Sequence, residues 1–234
     1  MNREVRDALK AGLPLFIGYA PAAAAFGILC KACGVSLLES FLFSSVVFAG
    51  ASQFIALNLL VTGMGFGGII VTTLLVNFRH FLMSTYLSTR MRNIARRYFF
   101  PIAFGITDEV FSVLSFKKGA LTKTFIFILQ LSAYSAWVGG TLAGYILGGF
   151  LPGDLTKSMG VALYALLVAI LLPEIKRSSR ALVLALSSGL LNTILIYFDF
   201  LPRGWTIIAC ILIIATAGML FSGDTTGDTK GEAL

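Results

Sequence analysis

Between Val46 and Ser88 the chain reads VVFAGASQFIALNLL, then a glycine-rich break GMGFGG, then IIVTTLLVNFRHFLMSTYLS. Ser52, Gln53, Asn58, Asn77, Arg79 and His80 interrupt a background apolar enough to lie in lipid. Further on, Asp108 and Glu109 interrupt a second apolar run, Tyr98 to Phe116. Polar groups at membrane depth are costly and face a bundle interior, a cavity or one another. The chemistry these residues offer is binding. Arg79 stays protonated and can hold an anion, Asp108 and Glu109 can hold a cation, and the amides and hydroxyls can serve either. A second reading makes Arg79 pair with Asp108 or Glu109 as a structural lock. His80 is the only histidine; it ionises near neutral pH and is a candidate proton carrier, or else a structural histidine bonded to a neighbouring helix.

The elements that position them follow from composition. The chain has 234 residues, 57% hydrophobic and only 12% charged, with a mean hydropathy of +0.90. A soluble domain carries about 25% charged residues, so half that leaves too little polar surface for a water-soluble globule. Several apolar runs approach the roughly 20 residues that cross a bilayer core as a helix, and the short alternating segments of barrel strands are missing. The fold expected is an all-α polytopic integral membrane protein. In its third run, Thr73, Asn77, His80, Ser84 and Ser88 fall at i, i+4, i+7, i+11 and i+15, one polar face of a helix. In the second run, Ser45, Ala49, Ser52 and Ala56 follow helical spacing as a small-residue stripe.

Two runs carry signs of incompleteness. The first, Gly12 to Cys30, contains Pro14, Gly18, Pro21 and Gly27, and reads either as a broken or re-entrant segment or as a kinked span. Tyr98 to Phe116 is flanked by basic residues on both sides, Arg90, Arg92, Arg96 and Arg97 before it and Lys117 and Lys118 after it. Basic loops stay cytoplasmic, so this segment enters and leaves on one side, with Thr107-Asp108-Glu109 capping a half-helix. Keeping the N-terminus, Arg90–Arg97, Lys117–Lys123 and Lys176–Arg180 all inside then requires one of the three runs before Arg90 to fall short of crossing, with the Pro-rich first run favoured. That gives about six full spans plus two broken or re-entrant segments, against a simple count of seven or eight.

The rest reads as scaffold. Gly140, Gly144 and Gly148 form a G-x-x-x-G-x-x-x-G groove for another helix. Pro152-Gly153-Asp154 is a turn, Met159 to Leu172 a span, and two further spans precede a polar tail. Residues 1–11 are expected as a cytoplasmic N-terminal segment, 12–222 as the helical transmembrane domain and 223–234 as a disordered tail. The N-terminus lacks the hydrophilic sequel that follows a cleaved signal peptide, so Met1 is expected in the mature chain. Cys30-Lys31-Ala32-Cys33 is a lone C-x-x-C without a partner pair, read as incidental. No metal or cofactor is expected. The net charge of +7 sits in loops, without any nucleic-acid motif.

One histidine rules out a multi-histidine centre, and no G-x-S-x-G or G-x-x-x-x-G-K-[ST] element is present, so neither an enzyme nor a direct ATP engine is expected. FAGASQF at Phe48 to Phe54, NFRH at Asn77 to His80 and TDE at Thr107 to Glu109, with GYAPAAAAFG at Gly18 to Gly27, resemble the signatures of AzlC-type permeases. The resemblance implies the large subunit of a branched-chain amino-acid exporter in the cytoplasmic membrane of a bacterium, N-terminus inside, often paired with a small AzlD-type membrane subunit. It departs from the family pattern at Gly160, where many members carry Asp. An amino acid is a zwitterion, so it needs donors for its carboxylate and acceptors for its ammonium. Arg79 or a half-helix N-terminus suits the first; Asp108 or Glu109, helped by Ser52, Gln53 and Asn77, suits the second. A channel subunit and a non-transporting membrane scaffold are the alternatives.

Overall fold

The computed structural model describes residues 3–150, 178–198 and 205–222, with isolated positions 168, 172, 175 and 176 between them. Among the described residues every regular element is helical. The expected turn at Pro152–Asp154, the span Met159 to Leu172, Gly160, Arg177 and the tail 223–234 lie outside the described residues.

Among the described residues, three helices are long and apolar enough to cross a membrane: α1 (Arg3–Ala32), α4 (Phe66–Arg90) and α7 (Lys123–Gly148), with mean hydropathies over an 18-residue window of 1.8, 1.4 and 1.4. Between them lie four shorter helices: α2 (Leu37–Leu42), which runs on as a π-helical turn Phe43–Val47, α3 (Gly50–Val61), α5 (Phe99–Phe104) and α6 (Asp108–Phe116). After the undescribed stretch come α8 (Ser179–Tyr197) and α9 (Trp205–Ser222), packed on each other, with α9 also touching α4.

Helices α1 and α7 form the spine, and they run parallel. Glu4 meets Thr122, Gly12 faces Ser132, Ala20 faces Gly140, Ala24 faces Gly144 and Ile28 faces Gly148. The glycine series expected to make a groove does so, and α1 fills it. A Cβ on Gly144 would lie 2.0 Å from the Ala24 carbonyl oxygen, and one on Gly27 would lie 2.0 Å from the Thr141 carbonyl oxygen. Without a hydrophobic drive between helices in lipid, this backbone approach supplies the dispersion contact that holds the pair.

Around the spine, two short hairpins enter from opposite ends. In the first, α2 descends beside α1 and α3 climbs back: the Phe26 ring on α1 meets Phe43 at 5.9 Å on the way down and Phe54 at 5.2 Å on the way up. In the second, α5 follows α7, with Tyr98 against Phe127 and Phe104 against Tyr134. Helix α6 then returns beside α4, with Tyr86 against Phe111. Arg90, at the end of α4, donates to the Leu114, Ser115 and Lys117 carbonyls at 2.6–2.8 Å and to that of Gly119 at 3.4 Å. The Leu114 and Ser115 carbonyls are among those that a helix C-terminus leaves unpaired; those of Lys117 and Gly119 belong to the loop that follows α6. The hairpin tips meet where Phe48 and Phe104 approach to 6.1 Å, both against Tyr134.

Two sequence expectations change here. The Pro-rich first run is one continuous helix; Pro14 and Pro21 sit inside α1 on its exposed side, where a lost amide bond leaves no buried carbonyl stranded. The incomplete run before Arg90 is the second, and its small-residue stripe is cut by the break at Phe48. The doubling back of Tyr98–Phe116 agrees with the charge argument. The starts of α1 and α7, Arg90, and Lys117 all gather at one end of the bundle, the arrangement that argument required.

Candidate functional site

The break in the first hairpin is made at Phe48, the one non-glycine residue with a left-handed backbone among the described residues (φ 42°, ψ 45°). Such a conformation costs about 1–3 kcal/mol for a bulky side chain and persists where its surroundings over-determine it. Gln53 does much of that. Its Oε1 accepts from the Ala49 amide at 3.2 Å and from the Trp137 indole at 2.9 Å, while its Nε2 donates to Ser44 at 3.2 Å. Ser44 in turn bonds Thr141 on α7 at 2.8 Å. Ser52 donates to the Ala49 carbonyl at 2.9 Å and accepts from Asn77 at 3.0 Å, which ties the break to α4.

The break in the second hairpin has a matching set. Thr107 caps α6 by accepting from the Val110 amide, as the TDE triplet suggested. Gln130 donates to the Ile102 carbonyl at 2.7 Å, which also accepts from the Gly105 amide at the end of α5. From α1, the Tyr19 hydroxyl bonds Thr107 at 2.6 Å and donates to the Glu109 carboxylate.

Between the tips lies a cavity of about 180 Å³ whose polar lining is Arg79, His80, Thr107, Asp108, Glu109 and Tyr19. Its apolar lining is Gly18 and Ala22 of α1, Phe48, Ala51 and Phe54 of the first hairpin, and Trp137 of α7, whose ring lies 5.7 Å from that of Tyr19. The N-termini of α3 and α6 both open into it, each presenting amides without intrahelical partners. The volume falls below the ~300–1,000 Å³ of drug-sized sites and suits a ligand of amino-acid size. Within the polar lining Arg79 Nη1 meets Asp108 Oδ2 at 2.6 Å, with side chains 40% and 47% exposed. It is the one ion pair among the described residues. The guanidinium Nε of Arg79 is buried without a partner, as is Oδ1 of Asn77.

The candidate residues therefore divide. Arg79, Asp108, Glu109 and His80 face the cavity. Ser52, Gln53 and Asn77 lie behind its wall, in the hydrogen bonds that hold the first break. Tyr19 and Trp137 escaped the sequence reading, since aromatic residues are frequent throughout the chain and neither sits on a polar stripe. Cys30, Cys33 and Cys210 are free thiols, and no cluster of metal-ligating side chains occurs among the described residues.

A cavity with an arginine–carboxylate pair, set between two half-helix tips in a bundle of apolar helices, defines a helical integral membrane protein with an internal polar site. The AzlC protein family matches residues 14–151, and this chain belongs to it. That stretch contains both hairpins and every residue lining the cavity. Relatives include an uncharacterized membrane protein of Archaeoglobus fulgidus, 33% identical over 93% of this chain and 94% of its own. The inner membrane protein YgaZ of Escherichia coli is 31% identical over 82% and 81%. The branched-chain amino acid transport protein AzlC of Bacillus subtilis is 27% identical over 72% and 67%. No solved structure matches. The three motifs that carry the family resemblance, at Phe48–Phe54, Asn77–His80 and Thr107–Glu109, are far apart in the chain and meet at this one cavity.

Proposed function

We propose that this protein is a secondary transporter that exports branched-chain or similar small hydrophobic amino acids (valine, leucine, isoleucine) across the cytoplasmic membrane, together with a small AzlD-type membrane subunit. The observation that carries the reading is the Arg79–Asp108 pair in the cavity between the half-helix tips. An incoming zwitterion offers the same two charges. Its carboxylate replaces Asp108 at Arg79, assisted by the free amides at the start of α3. Its ammonium takes the released Asp108, with Glu109 alongside. The aliphatic side chain lies against Ala22, Phe48, Ala51, Phe54 and Trp137.

Exchange of one ion pair for another keeps every charge compensated in a low-dielectric site, where an unpaired one is costly. Half-helices whose N-termini point at a substrate carboxylate are a recurrent way to build a transporter site. Ser52, Gln53 and Asn77 serve the site by fixing the first tip. His80 lines the cavity beside Arg79 and stays the candidate proton carrier, with a structural imidazole as the alternative. The end bearing the N-terminus, Arg90 and Lys117 faces the cytoplasm by the positive-inside rule.

The test is efflux of preloaded radiolabelled leucine and valine from proteoliposomes, for wild type and Arg79→Ala, each with and without the small subunit. Efflux that falls at least about tenfold without Arg79, and rises with the second chain, supports the proposal. Intact efflux in Arg79→Ala reduces the pair to a structural lock, and no flux in any combination sinks the substrate assignment.

A further inference from the structure

The glycines of α1 are not equivalent. Gly12 and Gly27 are forced by packing: a Cβ would come within 2.7 Å of the Ser132 hydroxyl oxygen at the first and 2.0 Å of the Thr141 backbone at the second. Gly18 differs. It lines the cavity from the same exposed face of α1 as Pro14 and Pro21, lies inside a continuous helix, has no left-handed backbone, and a Cβ there would meet nothing within 4 Å. Glycine in a helix interior is about 1 kcal/mol less favourable than alanine, and neither packing nor chain conformation requires it here. Gly50, also on the wall, has an ordinary reason, since its Cβ would lie 2.7 Å from the Trp137 ring.

We propose that Gly18 determines side-chain size specificity: the space left by its missing side chain receives the aliphatic end of the transported amino acid. The inference rests on the amino-acid transport reading above and adds to it which residue sets the upper limit on substrate size. One turn further along α1, Ala22 continues the same small-residue wall. Arg79 and Asp108 line the same cavity, so a zwitterion anchored at the ion pair has α1 within reach of its side chain. Each methyl group added at position 18 removes room from the substrate and leaves the charged anchors in place. A pocket that is filled costs a tightly fitting ligand far more than a loosely fitting one.

A helix hinge is the competing role for a glycine between Pro14 and Pro21, and it predicts something different. Stiffening a hinge slows all substrates together; filling a pocket discriminates by size. The experiment measures efflux of radiolabelled alanine, valine and leucine from proteoliposomes holding wild type, Gly18→Ala, Gly18→Val or Gly18→Leu, each together with the small subunit. The expected result is a leucine-to-alanine flux ratio that falls in the order of added bulk, by about tenfold or more for Gly18→Val, with valine intermediate. A parallel fall of all three fluxes, or unchanged ratios, overturns the proposal while leaving the transport reading intact. If the wild type moves none of the three, the transport reading fails and this inference falls with it. Should a larger variant fail to insert, Gly18→Ala, which favours the helix, carries the same comparison, with ligand-induced thermal stabilisation by leucine against alanine as its second readout.

Discussion

Gln53 shows how much of this site is held by single side chains. It is fully buried, and its amide satisfies the Ala49 amide, the Trp137 indole and the Ser44 hydroxyl together. Removing it leaves the Ala49 amide and the Trp137 indole unpaired, while Ser44 keeps Thr141, and each unsatisfied buried group costs about 1–3 kcal/mol. Gln53→Ala is therefore expected to destabilise the protein by at least about 2 kcal/mol, read as a large drop in melting temperature in detergent. A change below about 1 kcal/mol would mean that the Phe48 break stands without it. At this scale the sequence was only partly informative. Polar residues in an apolar run point to an internal polar cluster, and Arg79, His80, Asp108 and Glu109 do line one cavity. Whether a residue lines the cavity or braces its wall depends on where the chain turns. Ser52, Gln53 and Asn77 therefore read as ligand contacts until the break at Phe48 was known.

The elements divide into those the sequence announces and those only packing reveals. The start of α6 is local chemistry, a threonine accepting from the amide three residues on, and so it was legible. The break at Phe48 has no such mark, because phenylalanine is a poor choice for a left-handed backbone and its support comes from α4, α7 and the other hairpin. Conversely, Pro14 and Pro21 advertised a break that α1 does not make. The glycine series on α7 was legible because the spacing alone specifies a groove, and it yields a sharp comparison. Gly144→Ala would push a methyl into the Ala24 backbone, whereas Gly139→Ala meets nothing within 4 Å. The first is expected to cost about 3 kcal/mol or more through parting of α1 and α7, and the second to stay within about 0.5 kcal/mol or to stabilise slightly. Equal melting temperatures for the two variants would contradict the packing described.

Across the whole molecule, a hairpin from each end reaching a shared centre gives two thin barriers around one site. The transport proposed above needs either barrier to yield while the other stays closed, the requirement of alternating access. The topology can be checked in a background lacking Cys30, Cys33 and Cys210. Ala32→Cys and Gly65→Cys, before and after the first hairpin, are expected to react with an impermeant thiol reagent from the same side of the membrane. Asn93→Cys and Lys118→Cys, flanking the second hairpin, are expected to react only from the other side. Labelling of Ala32→Cys and Gly65→Cys from opposite sides would mean that the first hairpin crosses. The central claim is that the ion pair gives way to both charges of a zwitterion, and direct binding tests it with fewest assumptions. Purified protein should bind leucine, while leucinol, which lacks the carboxylate, and 4-methylpentanoate, which lacks the ammonium, should bind at least about tenfold more weakly. Equal affinity for leucine and either analogue would contradict the account.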